Sequence, residues 1–272
     1  MTEQNKLHNK AMDFLLKTSR TFFIPISYLP SGLQEAIGSA YLCMRAIDEI
    51  EDHPNLGAKD KIALLQAVSR LLKTDYRKED IQEVFEPFSD VLPEVTLLLS
   101  DWIEYCPPGA TAKVLESTKE MAEGMAKWVS KDWQIHDKEE LDEYTYYVAG
   151  LVGVMLSDIW KWYDGTETDR ELAIAFGRGL QTVNILRNRE EDAERGVNFY
   201  PDGWGFNEML IHTEHNLALA DTYIENIETK DIVHFCKIPL ELAKATLNAL
   251  KEGKEKINRS TVTTIVNQVV EN

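Results

Sequence analysis

Asp48 and Asp52 stand four residues apart in the stretch AYLCMRAIDEIEDHP. On a helix that spacing puts both carboxylates on one face, close enough to share a cation. Ala40, Tyr41 and Met44 occupy the same face one and two turns earlier, so the acids extend a packing face. Arg45 lies three residues before Asp48, on nearly the same side, while Glu49 and Glu51 are expected to point elsewhere. Paired carboxylates are hard oxygen ligands suited to Mg²⁺, above all Mg²⁺ already carried by phosphate. The bland alternative is a solvated acidic helix end before the break at Pro54.

A second set occurs in GRGLQTVNILRNREEDAERGVNFYP, residues 177–201. Gln181, Asn184, Asn188 and Asp192 are spaced 3, 4 and 4 and fall on one helical stripe, with Arg187 beside Asn184. A polar stripe among Leu180, Val183, Ile185 and Leu186 needs partners or water if buried. Lining a wet cavity that holds a metal and an anion meets that need; a surface helix laced with ion pairs meets it too. The i, i+3 pair His212 and His215 lacks a third evident ligand and is expected to be solvated.

The elements that must carry these residues read as helices. Ile37, Ala40, Tyr41 and Met44 follow i, i+3, i+4, i+7, and Ile62, Leu65, Val68 and Leu72 share one face. The β-branched tail does the same at Val262, Ile265, Val266 and Val269. Prolines fall at breaks such as Pro30-Ser31-Gly32, Pro54, Pro107-Pro108 and Pro201, and none interrupts residues 109–200. With no hairpin dipeptide, glycine fingerprint or repeat, the expectation is one all-α domain over residues 1–272 with roughly ten helices or more.

Composition bounds the partners. Lys plus Arg total 29 against 46 Asp plus Glu, a net charge of −17. Such a chain has no global basic footprint for nucleic acid or an anionic membrane. Cys43, Cys106 and Cys236 form no CxxC, which fits a reducing compartment without a zinc site. The longest uncharged stretch, residues 144–157, is too short to span a bilayer, and the N-terminus has no signal-peptide pattern. A cytoplasmic protein, soluble or peripherally membrane-associated, is expected, without room for a C-terminal anchor.

At these residues the chain resembles the squalene/phytoene synthase family of head-to-head prenyl synthases. AYLCMRAIDEIED is similar to its first aspartate motif, and LQTVNILRNREED to its second, QxxNxxRDxxxD. SRTFF (residues 19–23) resembles the family's diphosphate-binding segment. EYTYYVAGLVGVML resembles its Tyr-containing helix, with Tyr144 at the tyrosine implicated in catalysis. EMAEGMAKW fits as well, and FCKIPLELAKATL is similar to the FCxIP helix of the squalene-synthase branch.

The resemblance implies the class I isoprenoid-synthase fold, an α-helical barrel around a deep apolar cavity, with the two aspartate motifs facing across its mouth. It implies Mg²⁺ held by Asp48 and Asp52 and by Asn184, Asn188 and Asp192. Diphosphate would be bound by Ser19, Arg20, Arg45, Gln181 and Arg187. Tyr144 would assist catalysis with Asp48, Asp52 and Asp192. Phe22, Val148, Gly150, Leu151, Leu156, Phe235, Cys236 and Pro239 would line the chain tunnel; plain core packing is the alternative for Phe235 and Cys236. The FCKIP branch hints at NADPH, which no nucleotide fingerprint supports.

One departure bears on the reaction. Asn188 stands where the family's second motif begins with aspartate, and a neutral amide should weaken Mg²⁺ binding. Glu191 lies partly off the stripe. With the rest of the template nearly complete, the resemblance implies Mg²⁺-dependent condensation of two farnesyl diphosphates to a C30 product. The alternatives are hydrolysis of farnesyl diphosphate to farnesol, and non-catalytic prenyl-lipid binding. Oligomeric state is not legible.

Overall fold

The computed structural model describes residues 3–271, the side chain of Arg20 excepted. Among them every regular element is helical. The chain packs as two compact units, residues 1–132 and 133–272.

The first unit contains α1 (Glu3–Thr18), α2 (Arg20–Ser27), α3 (Leu33–Glu51), α4 (Ala58–Leu71), α5 (Lys78–Phe85), α6 (Glu94–Leu97), α7 (Leu99–Tyr105) and α8 (Pro108–Ser130). Its centre is α3, which packs on α1, α6, α7 and α8. That explains why α3 buries more than one stripe: Leu33, Leu42, Cys43, Ala46, Ile47 and Ile50 are all inaccessible to solvent. Two buried hydroxyls lock it in place. Ser39 donates to the Trp102 carbonyl at 2.7 Å, and Thr96 donates to the Ala46 carbonyl at 3.0 Å. The helix starts after Gly32, whose φ of +88° favours glycine, and the Glu35 carboxylate accepts from the Gly32 N–H. It ends at the predicted break. Asp52 N–H closes the last turn on the Asp48 carbonyl at 2.9 Å, and His53 Nε2 meets the Val91 carbonyl at 2.9 Å. On α4 the expected face shifts slightly: Leu64, Leu65, Val68 and Leu72 are buried and Ile62 is half-buried.

The second unit contains α9 (Lys138–Thr145), a π turn (Tyr146–Gly150), α10 (Leu151–Asp164), α11 (Arg170–Arg187), α12 (Arg189–Glu194), α13 (Phe206–Glu225), α14 (Lys230–Lys251) and α15 (Arg259–Glu271). Here α11 is central, packed on α13, α10 and the π turn. Two glycines allow backbones to touch. A Cβ on Gly177 would lie 2.1 Å from the Ala149 carbonyl oxygen, and one on Gly153 would lie 2.0 Å from that of Ala173. No side chain fits at either place. The helix carrying the second polar set is thus seated directly on the segment that follows Tyr144. Pro239 stands inside α14, not at a break, and the helix continues through it to Lys251. The β-branched tail is helical, as its period requires.

Candidate active site

In the first unit the acidic end of α3 forms a cluster. Asp48, Glu51 and Asp52 each offer a carboxylate oxygen within 4.8 Å of the others, an arrangement that could hold a metal ion. This corrects the sequence expectation for Glu51. Its residue is buried and joins the aspartates, because i, i+3 neighbours share a face as i, i+4 neighbours do. Lys61, also buried, donates to the Glu51 carbonyl at 2.5 Å and so pins this helix end to α4.

Charge crowding marks the cluster. Burial, and next the neighbouring Asp52 carboxylate, push the Asp48 carboxyl up to about 7 against the pull of Arg45. The Asp48 side chain keeps 30% of its surface exposed, so water tempers the effect. Arg45 bridges Asp48 and Glu49, at 2.5 Å to each. Glu49 pairs with Arg45 and stands outside the clustered three, as expected. Three carboxylates, one of them reluctant to ionise, suit a hard divalent cation, which offsets the mutual repulsion.

Ser19 and Phe22 lie beside the same helix. The Ser19 hydroxyl accepts the Phe22 N–H at 3.2 Å as the N-cap of α2. The Phe22 ring packs on Tyr41 at 5.8 Å between centroids. Arg20 opens α2, but its side chain lies outside the described residues.

In the second unit the polar stripe is present but broken. Gln181 and Asn184 are half-buried on α11, which ends at Arg187. Asn188 takes φ −94° and ψ 9°, between α11 and α12. Hydrogen bonding still crosses the break, from Asn188 N–H to the Asn184 carbonyl (2.8 Å) and from Asp192 N–H to the Asn188 carbonyl (2.9 Å). Asp192 is 7% exposed, and its Oδ1 accepts from Arg195 at 2.6 Å. Arg187 is exposed and donates to Asn188 Oδ1 at 3.1 Å.

Tyr144, 5% exposed at the end of α9, stacks on Phe199 with centroids 4.8 Å apart and planes 18° apart. Of the expected tunnel residues, Gly150, Leu151, Phe235, Cys236 and Pro239 are buried, while Phe22, Val148 and Leu156 are half-buried. Phe235 meets the Trp160 ring edge-on at 5.6 Å. Burial pushes the Cys236 thiol far up, so it is an inert apolar group.

Sequence reasoning missed one group here. His212 is not solvated but buried, with Nε2 3.3 Å from Asp142 Oδ1. Arg178 Nε reaches the same oxygen at 3.2 Å, and Lys138 the other at 2.6 Å. The signal for Arg178 was available: it stands three residues before Gln181 and extends the polar stripe by one turn.

The chain is thus all-α, with a carboxylate cluster closing one helix and a polar stripe on another. The chain matches the squalene/phytoene synthase family model over residues 15–204, from before Ser19 to beyond Asp192. It belongs to the squalene/phytoene synthase family. Among relatives, the squalene synthase of Bos taurus is 28% identical over 275 residues, 89% of this chain and 63% of that one. The squalene synthase of Schizosaccharomyces pombe is 27% identical over 86% of this chain and 57% of its own. The chain therefore spans less than two thirds of these relatives' length. Among solved structures, TcSQS in complex with BPH1237 matches 97% of this chain and 86% of its own at TM-score 0.79 and 20% identity. A dehydrosqualene synthase in complex with ligand matches 99% and 97% at TM-score 0.69 and 20% identity. The fold is that of the all-α isoprenoid synthases. No helix among the described residues is long and apolar enough to cross a membrane.

Proposed function

We propose that this chain is a Mg²⁺-dependent prenyl diphosphate enzyme that condenses two farnesyl diphosphates head to head into a C30 product. The observation that carries the reading is the Asp48, Glu51 and Asp52 cluster, inside the part of the chain matched by the family model. The squalene synthase relatives lend their reaction class to it.

Bound Mg²⁺ supplies Lewis-acid neutralisation of a departing diphosphate. Asp48 and Asp52, with Glu51, would hold it in the first unit, and Asn184, Asn188 and Asp192 in the second. Arg45 is a cation next to the cluster and suits diphosphate oxygens, for which its fork is matched. Tyr144 would stand near the reacting carbons, and the buried residues of the π turn, α10 and α14 would keep water from the carbocation. In this reading residues 1–272 act as one isoprenoid-synthase domain. An apolar product suits peripheral membrane contact; NADPH is part of the reading only for a reduced C30 product.

A second reading, hydrolysis to farnesol, is favoured by one feature. Asn188 is uncharged, and Arg187 engages its side-chain oxygen. Ionisation without a second competent metal set would leave water to capture the cation. Purified protein incubated with farnesyl diphosphate and Mg²⁺ separates the two. A C30 hydrocarbon or presqualene diphosphate supports condensation, and farnesol as sole product with or without NADPH overturns it. No diphosphate release under any condition overturns both and leaves a prenyl-lipid binder.

A further inference from the structure

We propose that Arg178 is a positioning residue: it sets where Tyr144 stands relative to the second polar set, and Asp142 and His212 hold it there. For its activity arm the proposal rests on the prenyl diphosphate reading; its structural arm does not.

Arg178 grips the chain on both sides of Tyr144. Its Nη2 donates to the Asp142 carbonyl at 3.1 Å, two residues before the tyrosine. Its Nε donates to the Thr145 hydroxyl at 3.3 Å, one residue after. The place matters because regular α-helix ends there: α9 stops at Thr145 and the wider π turn begins at Tyr146. Where turn widths change, the local carbonyls lose a single fixed partner, and π turns of this kind are frequent at functional sites. A planar guanidinium reaching two points at once is suited to fixing such a junction.

The other end of Arg178 is equally constrained. Its side chain is 19% exposed, and it rises from α11 one turn before Gln181. The same helix passes at backbone distance from the π turn, at Gly177 against Ala149. Movement of Arg178 therefore changes the offset between Tyr144 and the Gln181–Asn184 stripe without passing through any loop.

Asp142 balances the half-buried guanidinium charge. Its Oδ1 is 3.2 Å from Arg178 Nε and 3.3 Å from His212 Nε2. That oxygen is buried and takes no well-aligned hydrogen bond, and the Arg178 charge faces it at 3.2 Å. His212 is itself fixed. Asn216 donates to its carbonyl at 2.8 Å, and the Trp204 ring packs on it at 5.7 Å. Three helices, α9, α11 and α13, thus meet at one carboxylate two residues before Tyr144.

The test uses the full chain with Arg178→Lys, which keeps the charge opposite Asp142 but loses the fork. Hydrogen–deuterium exchange is the first arm. Amides of residues 144–150 should exchange about fivefold faster while those of α14 are unchanged. Unchanged exchange at 144–150, or an equal rise throughout the second unit, overturns the proposal. Steady-state turnover of farnesyl diphosphate is the second arm. The kcat should fall about tenfold to a hundredfold with KM within about twofold, as for a misplaced reacting group. In a Tyr144→Phe background the further loss should vanish, because Arg178 acts through that hydroxyl. Losses that multiply instead assign Arg178 a general structural role and overturn the proposal. If the wild-type chain does not consume farnesyl diphosphate, the proposed function falls, and the exchange arm alone decides the role of Arg178.

Discussion

The exposed guanidinium of Arg187 donates to the side-chain oxygen of Asn188 at 3.1 Å, at the residue where α11 gives way to α12. The oxygen that an aspartate would offer to a cation is, in this chain, a neutral amide oxygen held by a neighbouring arginine. On the proposed function, Asn188→Asp should strengthen Mg²⁺ binding by about tenfold, since a ligand's charge tunes such sites. Isothermal titration with Mg²⁺ and a diphosphate measures this, and equal affinities would show that Asn188 is outside the metal set. The same variant should shift product from farnesol toward C30 if the second reading holds.

Asp48→Asn should separate stability from activity. Burial and Asp52 raise the folded-state pKa of Asp48 to about 7, above its unfolded value near 3.8. A raised carboxyl contributes its stability below the unfolded pKa and loses it as pH rises through the folded one. Without metal, the variant should therefore be more stable than wild type at pH 8, with the gap closing below about pH 4. Turnover should fall about a hundredfold or more. Thermal melts across pH, run in chelator, check the first half; a wild type more stable than the variant at pH 8 would contradict it.

Asp142→Asn should behave in the opposite sense. Burial favours the neutral acid there, but His212, Lys138 and Arg178 prevail and hold the carboxyl down at about 2. A depressed carboxylate stabilises above its unfolded pKa and loses that contribution as pH falls through its folded one. Wild type should exceed the variant by ~2 kcal/mol at neutral pH. The difference should decay between pH 4 and pH 2, as urea unfolding at several pH values would record.

Gly177→Ala should destabilise the second unit by about 3 kcal/mol, the upper end for overpacking. The new methyl would overlap the Ala149 carbonyl, which is backbone and cannot swing aside. Gly203→Ala makes a useful contrast. Its φ of +79° costs the variant about 1 kcal/mol, with open space around the new methyl. Chemical denaturation of the two variants should rank them in that order.

Much of the scaffold was legible because its determinants are local. The apolar period of residues 37–44 and 262–269 needs only i, i+3 and i+4 neighbours, and both segments are helical. The same locality brought out Asp48 with Asp52, and Gln181 with Asn184. It failed at helix ends. Glu51 was set aside on angle alone, yet the last turn of α3 gathers three carboxylates where the chain stops being helical. Pro239 lies inside α14, in the segment that the resemblance made a helix, and the packing of α14 outweighs the lost hydrogen bond.

The sequence by itself determined the helical class and the Asp48–Asp52 pair at the end of α3, because period and spacing act within a few residues. Only the tertiary structure decided which distant groups meet. Asp142, Arg178 and His212 come from three helices, and nothing in their local sequence joins them. Their meeting follows from how closely α11 settles on its neighbours, which two glycines permit by removing the Cβ atoms that would hold the backbones apart.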